Sequence, residues 1–193
     1  MSSHTDSRET IERVLSGDTG AFRELVETCQ RLVAHIVFRM IPNETEREDI
    51  CQEVFLKAYR NLRGFKHNCK FSTWIGQIAY NTSLNYLERK KPALFDDVTP
   101  DEVAFDSFPA DSPWPSEVSE ANELSECLKR EIAGLPGHYA TIVTLYHFEE
   151  MTYDEIGKIM KLPDGTVKSY LFRARKMLKD RLMQKYTKED LCH

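Results

Sequence analysis

Apolar side chains recur every three or four residues through most of the chain, which is the spacing typical of amphipathic α-helices. Three such stripes lie within residues 10–62, and a fourth lies within residues 71–88. Gly17 and Gly20 mark a turn after the first stripe, and Pro42 interrupts the chain after the second. Because no alternating pattern is long enough to indicate a β-strand, the pattern predicts an all-α fold.

Polar residues next to these stripes predict where the helices begin and end. Asn43 or Thr45 can cap the third helix, since short polar side chains accept hydrogen bonds from unpaired amides at a helix start. Gly64 is expected to close the third helix as the residue that follows its C-terminus. Ser72 or Thr73 is expected to cap the fourth helix.

The C-terminal part of the chain has its own helical pattern, which Leu135 and Pro136 interrupt. Further along, Thr152 and Glu155 form an S/T-x-x-E capping box, which predicts a helix start. Gly157 lies inside that short helix, where it costs about 1 kcal/mol relative to Ala. We interpret this glycine as the contact point of two helices that cross closely, as in a helix-turn-helix unit.

The second helix of this unit combines apolar and basic residues on different faces. Val167, Leu171 and Leu178 are expected to pack against the preceding helix, with Tyr170 as an alternative to Leu171. The other face carries many Lys and Arg side chains, although the whole chain has a net charge of −5. Small polar residues that reach base edges and cations that hold phosphates are what a major-groove helix needs. A solvated basic face without a ligand is the alternative interpretation.

Residues 92–126 contain ten acidic residues and neither Lys nor Arg. Five prolines between residues 92 and 115 exclude a continuous helix there. Such a composition is typical of an extended linker. The sequence therefore predicts two small helical domains, at residues 10–91 and 122–187, joined by a flexible acidic linker at residues 92–121.

Residues 60–91 of the first domain are basic and rich in aromatic side chains. This combination favours single-stranded nucleic acid, because unpaired bases stack on aromatic rings while cations meet phosphates. Asn81 and Asn85 lie one helical turn apart, so their amides share a face. For Trp74, a place in the hydrophobic core is the alternative to a role in nucleic-acid binding.

The segment "DICQEVFLKAYRNL", residues 49–62, has a polar face opposite its apolar stripe. That face carries Asp49, Gln52, Glu53 and Lys57. It could be an ordinary solvated surface, or it could dock on a basic partner helix.

Five cysteines without a CxxC pair argue against a disulfide framework and a zinc site. His67 with Cys69, and Cys192 with His193, are the only pairs that suggest a metal, and neither has a second ligand pair. We therefore expect no metal and no cofactor. No apolar run is long enough to cross a membrane, and we expect a cytoplasmic protein that is not an enzyme.

Four segments together resemble the successive signatures of bacterial RNA polymerase sigma factors, of the extracytoplasmic-function (ECF) group. They are "GDTGAFRELVETCQ", "DICQEVFLKAYRNLRGF", "FSTWIGQIAYNTSLNYLERKK" and "MTYDEIGKIMKLPDGTVKSYLFRARKML". The resemblance implies a region 2-like helical bundle followed by a region 4-like helix-turn-helix domain.

The resemblance also implies partners and site residues. Core RNA polymerase would be bound through its largest-subunit clamp helices and its flap region, promoter DNA would be read at two elements, and an anti-sigma factor would hold the protein inactive. The polymerase-binding residues would be Asp49, Gln52, Glu53, Phe55 and Lys57. Minus-ten DNA would be bound by Phe65, Lys66, His67, Asn68, Lys70, Phe71, Ser72, Trp74, Asn81, Asn85 and Arg89. Minus-thirty-five DNA would be bound by Gly165, Thr166, Val167, Lys168, Ser169, Tyr170, Phe172, Arg173, Arg175 and Lys176.

Two other classes of protein compete with this interpretation. A stand-alone helix-turn-helix regulator would bind an operator as a dimer, and residues 10–91 would then hold a dimerisation or ligand domain. An enzyme would need a phosphate-binding loop or a set of nucleophile, base and orienting residue, and the sequence offers neither.

Overall fold

The computed structural model describes residues 3–90 and 123–185 of the 193-residue chain, with side chains from 7–90 and 127–185. These residues form α-helices and one short 3-10 turn, at Leu62–Gly64, and they contain no strand. The helices are α1 (Ser3–Leu15), α2 (Ala21–Met40), α3 (Glu44–Asn61), α4 (Phe71–Lys90), α5 (Glu123–Ala133), α6 (Gly137–His147), α7 (Tyr153–Met160) and α8 (Asp164–Lys185). The predicted all-α class is confirmed.

The first helix boundaries follow the predicted turn chemistry. Gly17 has a φ of +111°, a backbone conformation that glycine adopts without strain. At the start of α3, the side-chain oxygen of Asn43 accepts a hydrogen bond from the amide of Thr45 at 3.2 Å. Asn43, the first of the two predicted candidates, is therefore the cap.

Two predicted boundaries in the N-terminal part are wrong. Gly64 does not follow α3 in a left-handed conformation, because the chain first tightens into the 3-10 turn that ends at Gly64. The fourth helix begins at Phe71. Ser72 and Thr73 therefore lie within its first turn instead of preceding it, and Thr73 is completely buried.

Helix α2 forms the centre of the N-terminal half, which we define as α1–α4. Its residues Val33, Ile36 and Val37 are completely buried, and α2 packs against α1, α3 and α4. Because 20 residues make a helix of about 30 Å, α2 runs the length of the bundle. It supports both the outer face of α3 and the loop before α4.

The C-terminal half, α5–α8, is built around α6 and α8. Leu135 and Pro136 end α5 as predicted, and α6 starts at Gly137. Ile142 and Leu145 of α6 are completely buried, and α6 packs directly against α8. This packing fixes the direction in which α8 presents its outer face.

The two halves also pack against each other, with α2 against α6 and α4 against α7. Their buried side chains form one continuous hydrophobic core. The predicted acidic linker at residues 92–121 lies outside the described residues. Of the helices in residues 3–90 and 123–185, none has the length and apolar character that a membrane crossing requires.

Candidate polymerase and nucleic-acid interfaces

The helix-turn-helix unit of α7 and α8 is held by the predicted capping box. The amide of Glu155 donates to Thr152 Oγ1 at 3.3 Å, and the amide of Thr152 donates to Glu155 Oε2 at 2.9 Å. Burial opposes the charged form of Glu155, but hydrogen bonds from Lys70 and Thr152 outweigh it and lower the pKa of this carboxylate. The capping box therefore keeps its charged partner at neutral pH and fixes the start of α7.

The turn between α7 and α8 depends on Gly157 and Lys161. A Cβ atom on Gly157 would lie 2.7 Å from the carbonyl oxygen of Leu162 and 3.7 Å from a methyl group of Val167. The close approach that the sequence predicted is thus mainly to the backbone of the turn. Lys161 adopts the left-handed conformation, with φ 57° and ψ 42°, which reverses the chain direction before α8.

One face of α8 is exposed and the opposite face is buried. Val167, Leu171 and Ala174 are at most 1 % exposed. Val167, which was predicted among the DNA-binding residues, therefore supports the helix from inside the core and is left out of the candidate surface. The exposed stripe consists of Lys168, Ser169, Phe172, Arg173 and Lys176.

This stripe, named here the recognition stripe, combines three kinds of contact group. Lys168, Arg173 and Lys176 supply cations, and Ser169 supplies a hydroxyl. Phe172 is 71 % exposed, although burial of such a side chain is ordinarily worth about 1.5–3 kcal/mol. A partner that covers Phe172 while neutralising the cations fits this surface, and the major groove offers thymine methyl groups beside phosphates.

Other predicted residues of α8 are held by aromatic side chains of α6. The guanidinium of Arg175 lies 5.3 Å from the ring centre of Tyr146 and 3.2 Å from His147 Nε2. Burial and then the charge of Arg175 lower the pKa of His147, which favours its neutral form. Tyr170 is partly buried, with its ring centre 5.5 Å from that of Tyr139. Arg175 is thus positioned by its neighbours, whereas Tyr170 is part of the packing.

At the start of α8, Gly165 is exposed and a Cβ atom on it would meet nothing within 4 Å. Ser169 Oγ donates to the carbonyl oxygen of Gly165 at 2.9 Å. Thr166 is partly buried. The N-terminal turn of α8 is therefore open enough for close approach by a partner.

The loop before α4 surrounds a cleft that contains aromatic and polar side chains. Its lining comprises Phe65, His67, Cys69 and Phe71 from the loop and helix start, with Ser7, Arg8 and Ile11 from α1. The ring centres of Phe65 and His67 are 4.6 Å apart, and those of Phe65 and Trp74 are 5.1 Å apart. This arrangement offers ring faces and edges to a planar group of the size of a nucleobase.

Helix α1 contributes to this cleft, which the sequence pattern did not predict. Arg8 is exposed and pairs with Glu12 at 3.4 Å. No periodicity in the sequence links Arg8 to a loop more than fifty residues later. Phe65 and Phe71 are themselves 8 % and 5 % exposed, so they form the floor of the cleft, while Lys66, His67 and Asn68 are on its surface.

The rest of the predicted minus-ten set is distributed along α4. Asn85 and Arg89 are exposed, and Arg89 Nε donates to the carbonyl oxygen of Asn85 at 3.2 Å. Asn81 is partly buried, and its side-chain amide donates to the carbonyl oxygen of Gln77 at 2.7 Å. Ser72 and Trp74 are partly buried. Asn81 thus keeps its side-chain oxygen for a ligand, because its amide nitrogen is bound within the helix.

The predicted docking face on α3 is mixed in character. Asp49 and Gln52 are exposed, Phe55 is partly buried, and Glu53 pairs with Lys57 at 2.6 Å. Lys57 also donates to Thr82 Oγ1 of α4 at 3.2 Å, which ties the face to the helix behind it.

Two exposed apolar residues on the same helix were not predicted from the sequence. Leu56 is 55 % exposed and Tyr59 is 43 % exposed. The ring of Tyr59 packs edge-on against Phe22 of α2, with ring centres 5.0 Å apart. The signal in the sequence was their position off the buried stripe of Val54 and Ala58. Together with the acidic residues they form a surface suited to a protein partner.

In the part of the chain whose side chains are described, no group of three or more His, Cys, Asp or Glu residues could hold a metal ion. Burial raises the pKa of the Cys69 thiol, although the charge of nearby Lys158 lowers it. The Cys192 and His193 pair lies outside the described residues.

Comparisons with known proteins agree with this geometry. The Sigma-70 region 2 family matches residues 25–92, and the Sigma-70 region 4 family matches residues 125–178. The ECF RNA polymerase sigma factor SigW of Bacillus subtilis strain 168 is 34 % identical over 179 residues, which cover 91 % of this chain and 96 % of SigW. The ECF RNA polymerase sigma-E factor of Escherichia coli K12 is 35 % identical over 186 residues, covering 94 % of this chain and 97 % of that protein.

A solved structure shows the same fold. The sigma factor RpoE of Bartonella quintana, in complex with the anti-sigma factor NepR, superposes with a TM-score of 0.64 at 16 % identity. The match covers 86 % of this chain and 98 % of that one. With matches at this level of identity along nearly its whole length, the chain belongs to the ECF group of RNA polymerase sigma factors.

Proposed function

We propose that this protein binds core RNA polymerase and directs it to initiate transcription at specific promoters. The observation that carries the proposal is the recognition stripe, in which exposed cations surround an exposed aromatic ring on the second helix of a helix-turn-helix unit. Cations on such a helix bind phosphates, and a ring at its centre can contact base methyl groups. We assign this stripe to the minus-thirty-five element.

The cleft between α1 and the 65–71 loop supports binding of the minus-ten element. An unpaired base that leaves the duplex gains stacking on aromatic side chains, and Phe65, Phe71 and His67 line the cleft. Lys66 is exposed beside it and can meet the phosphate backbone. Asn85 and Arg89 extend the same surface along α4.

The α3 face is the proposed polymerase-binding surface, on the clamp helices of the largest subunit. Its exposed apolar residues, Leu56 and Tyr59, supply area to bury, and Asp49 supplies charge complementary to a basic helix. The C-terminal half is proposed to contact the flap region. In this role the protein acts in the cytoplasm as a non-catalytic subunit, and an anti-sigma factor is its proposed regulator.

Run-off transcription with purified core polymerase on a library of promoter fragments tests the function. We expect discrete transcripts that require this protein and that weaken when Asp49 and Glu53 are both changed to Lys. Circular dichroism of the double variant checks that the helices are intact. If the protein and core polymerase elute apart in gel filtration at micromolar concentration, while the protein alone binds duplex operators as a dimer, the protein is a stand-alone regulator instead.

A further inference from the structure

We propose that Tyr146 of α6 and Tyr153 of α7 are positioning residues for binding of the minus-thirty-five element. Their stacked rings hold Lys168 and Arg175 of α8 in place, so that each cation meets its own phosphate of the DNA backbone. We name these four side chains the cation–tyrosine ladder. The inference rests on the proposed function, because it concerns DNA contacts made by the same helix and the residues that direct them.

The ladder runs from one cation to the other through the two rings. Lys168 Nζ lies 5.6 Å from the ring centre of Tyr153. The rings of Tyr153 and Tyr146 are nearly parallel, at 14°, with their centres 5.3 Å apart. The guanidinium carbon of Arg175 lies 5.3 Å from the ring centre of Tyr146. Both cations are therefore within the distance of about 6 Å at which an aromatic ring attracts a cation.

Further polar contacts fix the ladder in one arrangement. A hydrogen bond with Tyr146 raises the pKa of Tyr153, which keeps the Tyr153 phenol neutral. At the other end, Arg175 Nη2 lies 3.2 Å from His147 Nε2. Because a guanidinium can only donate, the imidazole must accept, and only a neutral imidazole can do so. Burial and then the charge of Arg175 lower the pKa of His147, which favours that form. The guanidinium is thus fixed in direction as well as in position.

The two cations occupy one face of α8, on either side of Phe172. Lys168, Phe172 and Arg175 are four and three residues apart, so they share a face of the helix, and all three are exposed. Seven residues place Lys168 and Arg175 about 10 Å apart along the helix axis. This spacing favours two separate phosphates, one on each side of the bases that Phe172 reaches.

An aromatic ring positions a cation without neutralising it. Near the C-terminal end of α8, Arg181 is held by the carboxylate of Glu131, and it would have to exchange one anion for another to bind a phosphate. Lys168 and Arg175 are instead held by rings and a neutral imidazole. Their charges therefore stay available for an anionic ligand, and on this helix that ligand is the DNA backbone.

Holding the two side chains in advance lowers the entropy cost of binding. Lys and Arg have many rotamers, and fixing them on a ligand opposes association. In the ladder, part of that freedom is already lost in the folded protein. The buried side of α8 is formed by Val167, Leu171 and Ala174, so the burial of the helix does not depend on the ladder. We therefore expect the ladder to act mainly on DNA binding.

The salt dependence of binding to a minus-thirty-five duplex tests the ladder, because tyrosine carries no charge. In the polymerase-bound protein, Tyr146→Leu should weaken binding about fivefold. It should also lower the slope of log affinity against log salt by about one unit, as Arg175→Ala does, because one phosphate contact is lost. The double variant should lose no more than Arg175→Ala alone, since both changes remove the same contact. Tyr146→Phe retains the ring and should keep the slope.

The other end of the ladder gives an independent test. Tyr153→Leu should lower the slope as Lys168→Ala does, and Tyr153→Phe should keep it. The matched control is Tyr139→Leu, which also removes a half-buried ring from α6. The ring of Tyr139 packs against that of Tyr170, with 5.5 Å between the centres, and not against a cation of the ladder. Its loss should leave the slope unchanged.

Nuclear magnetic resonance tests the ladder in the unmodified protein. A ring face shifts the signals of the methylene protons above it upfield, and the signals of Lys168 and Arg175 are assigned by their loss in the two alanine variants. We expect upfield shifts for both side chains. Methylene signals at the positions of unconstrained Lys and Arg would overturn the inference, even if a leucine variant fails to fold.

The binding results have distinct meanings. If the leucine variants fold, as circular dichroism reports, and keep the slope of the unmodified protein, the tyrosines do not position the cations. If the phenylalanine variants lose as much as the leucine variants, the hydroxyl groups contact DNA themselves and the inference is wrong. Either result in a protein that directs initiation leaves the proposed function intact. An unmodified protein that gives core polymerase no promoter binding removes the proposed function instead.

Discussion

The carboxylate of Glu131 in α5 is bound by Arg181 of α8, with 3.1 Å between Oε2 and Nε. Lys185 adds a second contact at 3.0 Å, and Glu131 is only 1 % exposed. Burial opposes the charge, but the hydrogen bonds and charges of Lys185 and Arg181 outweigh it and lower the pKa of Glu131. This ion triad ties the end of the helix that carries the recognition stripe to α5.

We expect Glu131→Gln to destabilise the C-terminal half by about 1–2 kcal/mol, since the cations are partly exposed and solvent screens them. A lowered pKa contributes stability that is present above the ordinary value near 4.3 and is lost as the pH falls through the lower folded value. The substitution should therefore flatten the acid side of the stability profile. Urea unfolding between pH 3 and 7 measures this, with exposed Asp180→Asn as the control. If Glu131→Gln leaves the loss of stability at acidic pH unchanged, the ion triad does not stabilise the C-terminal half.

Gly157 gives a second prediction about stability. Gly157→Ala should destabilise the protein by about 1–3 kcal/mol, because its methyl group would overlap the carbonyl oxygen of Leu162, 2.7 Å away. Gly165→Ala is the matched change in open space and should be neutral or slightly stabilising, as Ala favours helix. Thermal unfolding compares the two. Equal unfolding temperatures for Gly157→Ala and Gly165→Ala would show that α7 and the turn can move apart without cost.

The local features of the fold were readable from the sequence. The capping box of Thr152 and Glu155 and the close approach at Gly157 involve residues within about a dozen positions of each other. One short segment of the sequence is therefore enough to predict them. The same holds for Asn43 at the start of α3.

The packing between the two halves and the cleft could not be predicted in this way. Gly76 meets Ile159, and Gly137 meets Arg39, across some eighty to one hundred residues of chain. The approach of Arg8 to the 65–71 loop spans about sixty residues of chain. Periodicity identifies which side of a helix is apolar, but it does not show which other helix covers that side. Val167 is a different case, because the helical pattern already placed it on the packing side of α8 and its burial confirms that, whereas the family resemblance had included it among the DNA-binding residues.

The recognition stripe yields a prediction about base recognition. Phe172→Ala should leave stability unchanged, because the ring is 71 % exposed, and should weaken binding of the minus-thirty-five duplex about tenfold if the ring covers a thymine methyl group. Replacing individual thymines by uracil removes that methyl group from the DNA. At the contacted thymine, the losses of binding free energy from Phe172→Ala and from the uracil substitution should not add, because both changes remove the same contact.

The matched control for this experiment is Met183→Ala, which removes an exposed apolar side chain from the same helix, outside the recognition stripe. Fluorescence anisotropy of the labelled duplex measures both variants with the polymerase-bound protein. Fully additive losses at every thymine would show that Phe172 does not contact a methyl group.

Arg173 yields a prediction about salt dependence. Within the described residues it is exposed and has no ion-pair partner, so its charge remains available for a phosphate. Arg173→Ala should lower the slope of log affinity against log salt by about one unit, uniformly over DNA sequences. Exposed Arg130 on α5 provides the control, since Arg130→Ala removes the same charge from outside the helix-turn-helix unit. Parallel slopes for the unmodified protein and Arg173→Ala would exclude the phosphate contact.

Leu56 provides the last prediction, which concerns polymerase docking. Its side chain is 55 % exposed on α3, so Leu56→Ala removes little internal packing and should change the unfolding free energy by less than about 0.5 kcal/mol. If core polymerase buries this side chain, the affinity of the variant for core polymerase should fall about tenfold, as expected when an interface residue that contributes to binding is truncated. Leu15→Ala on α1, exposed to a smaller degree at 39 %, is the matched control. Competition binding to core polymerase against an unlabelled ECF sigma factor measures both variants. If Leu56→Ala and Leu15→Ala bind with equal affinity, the docking surface is not on the outer face of α3.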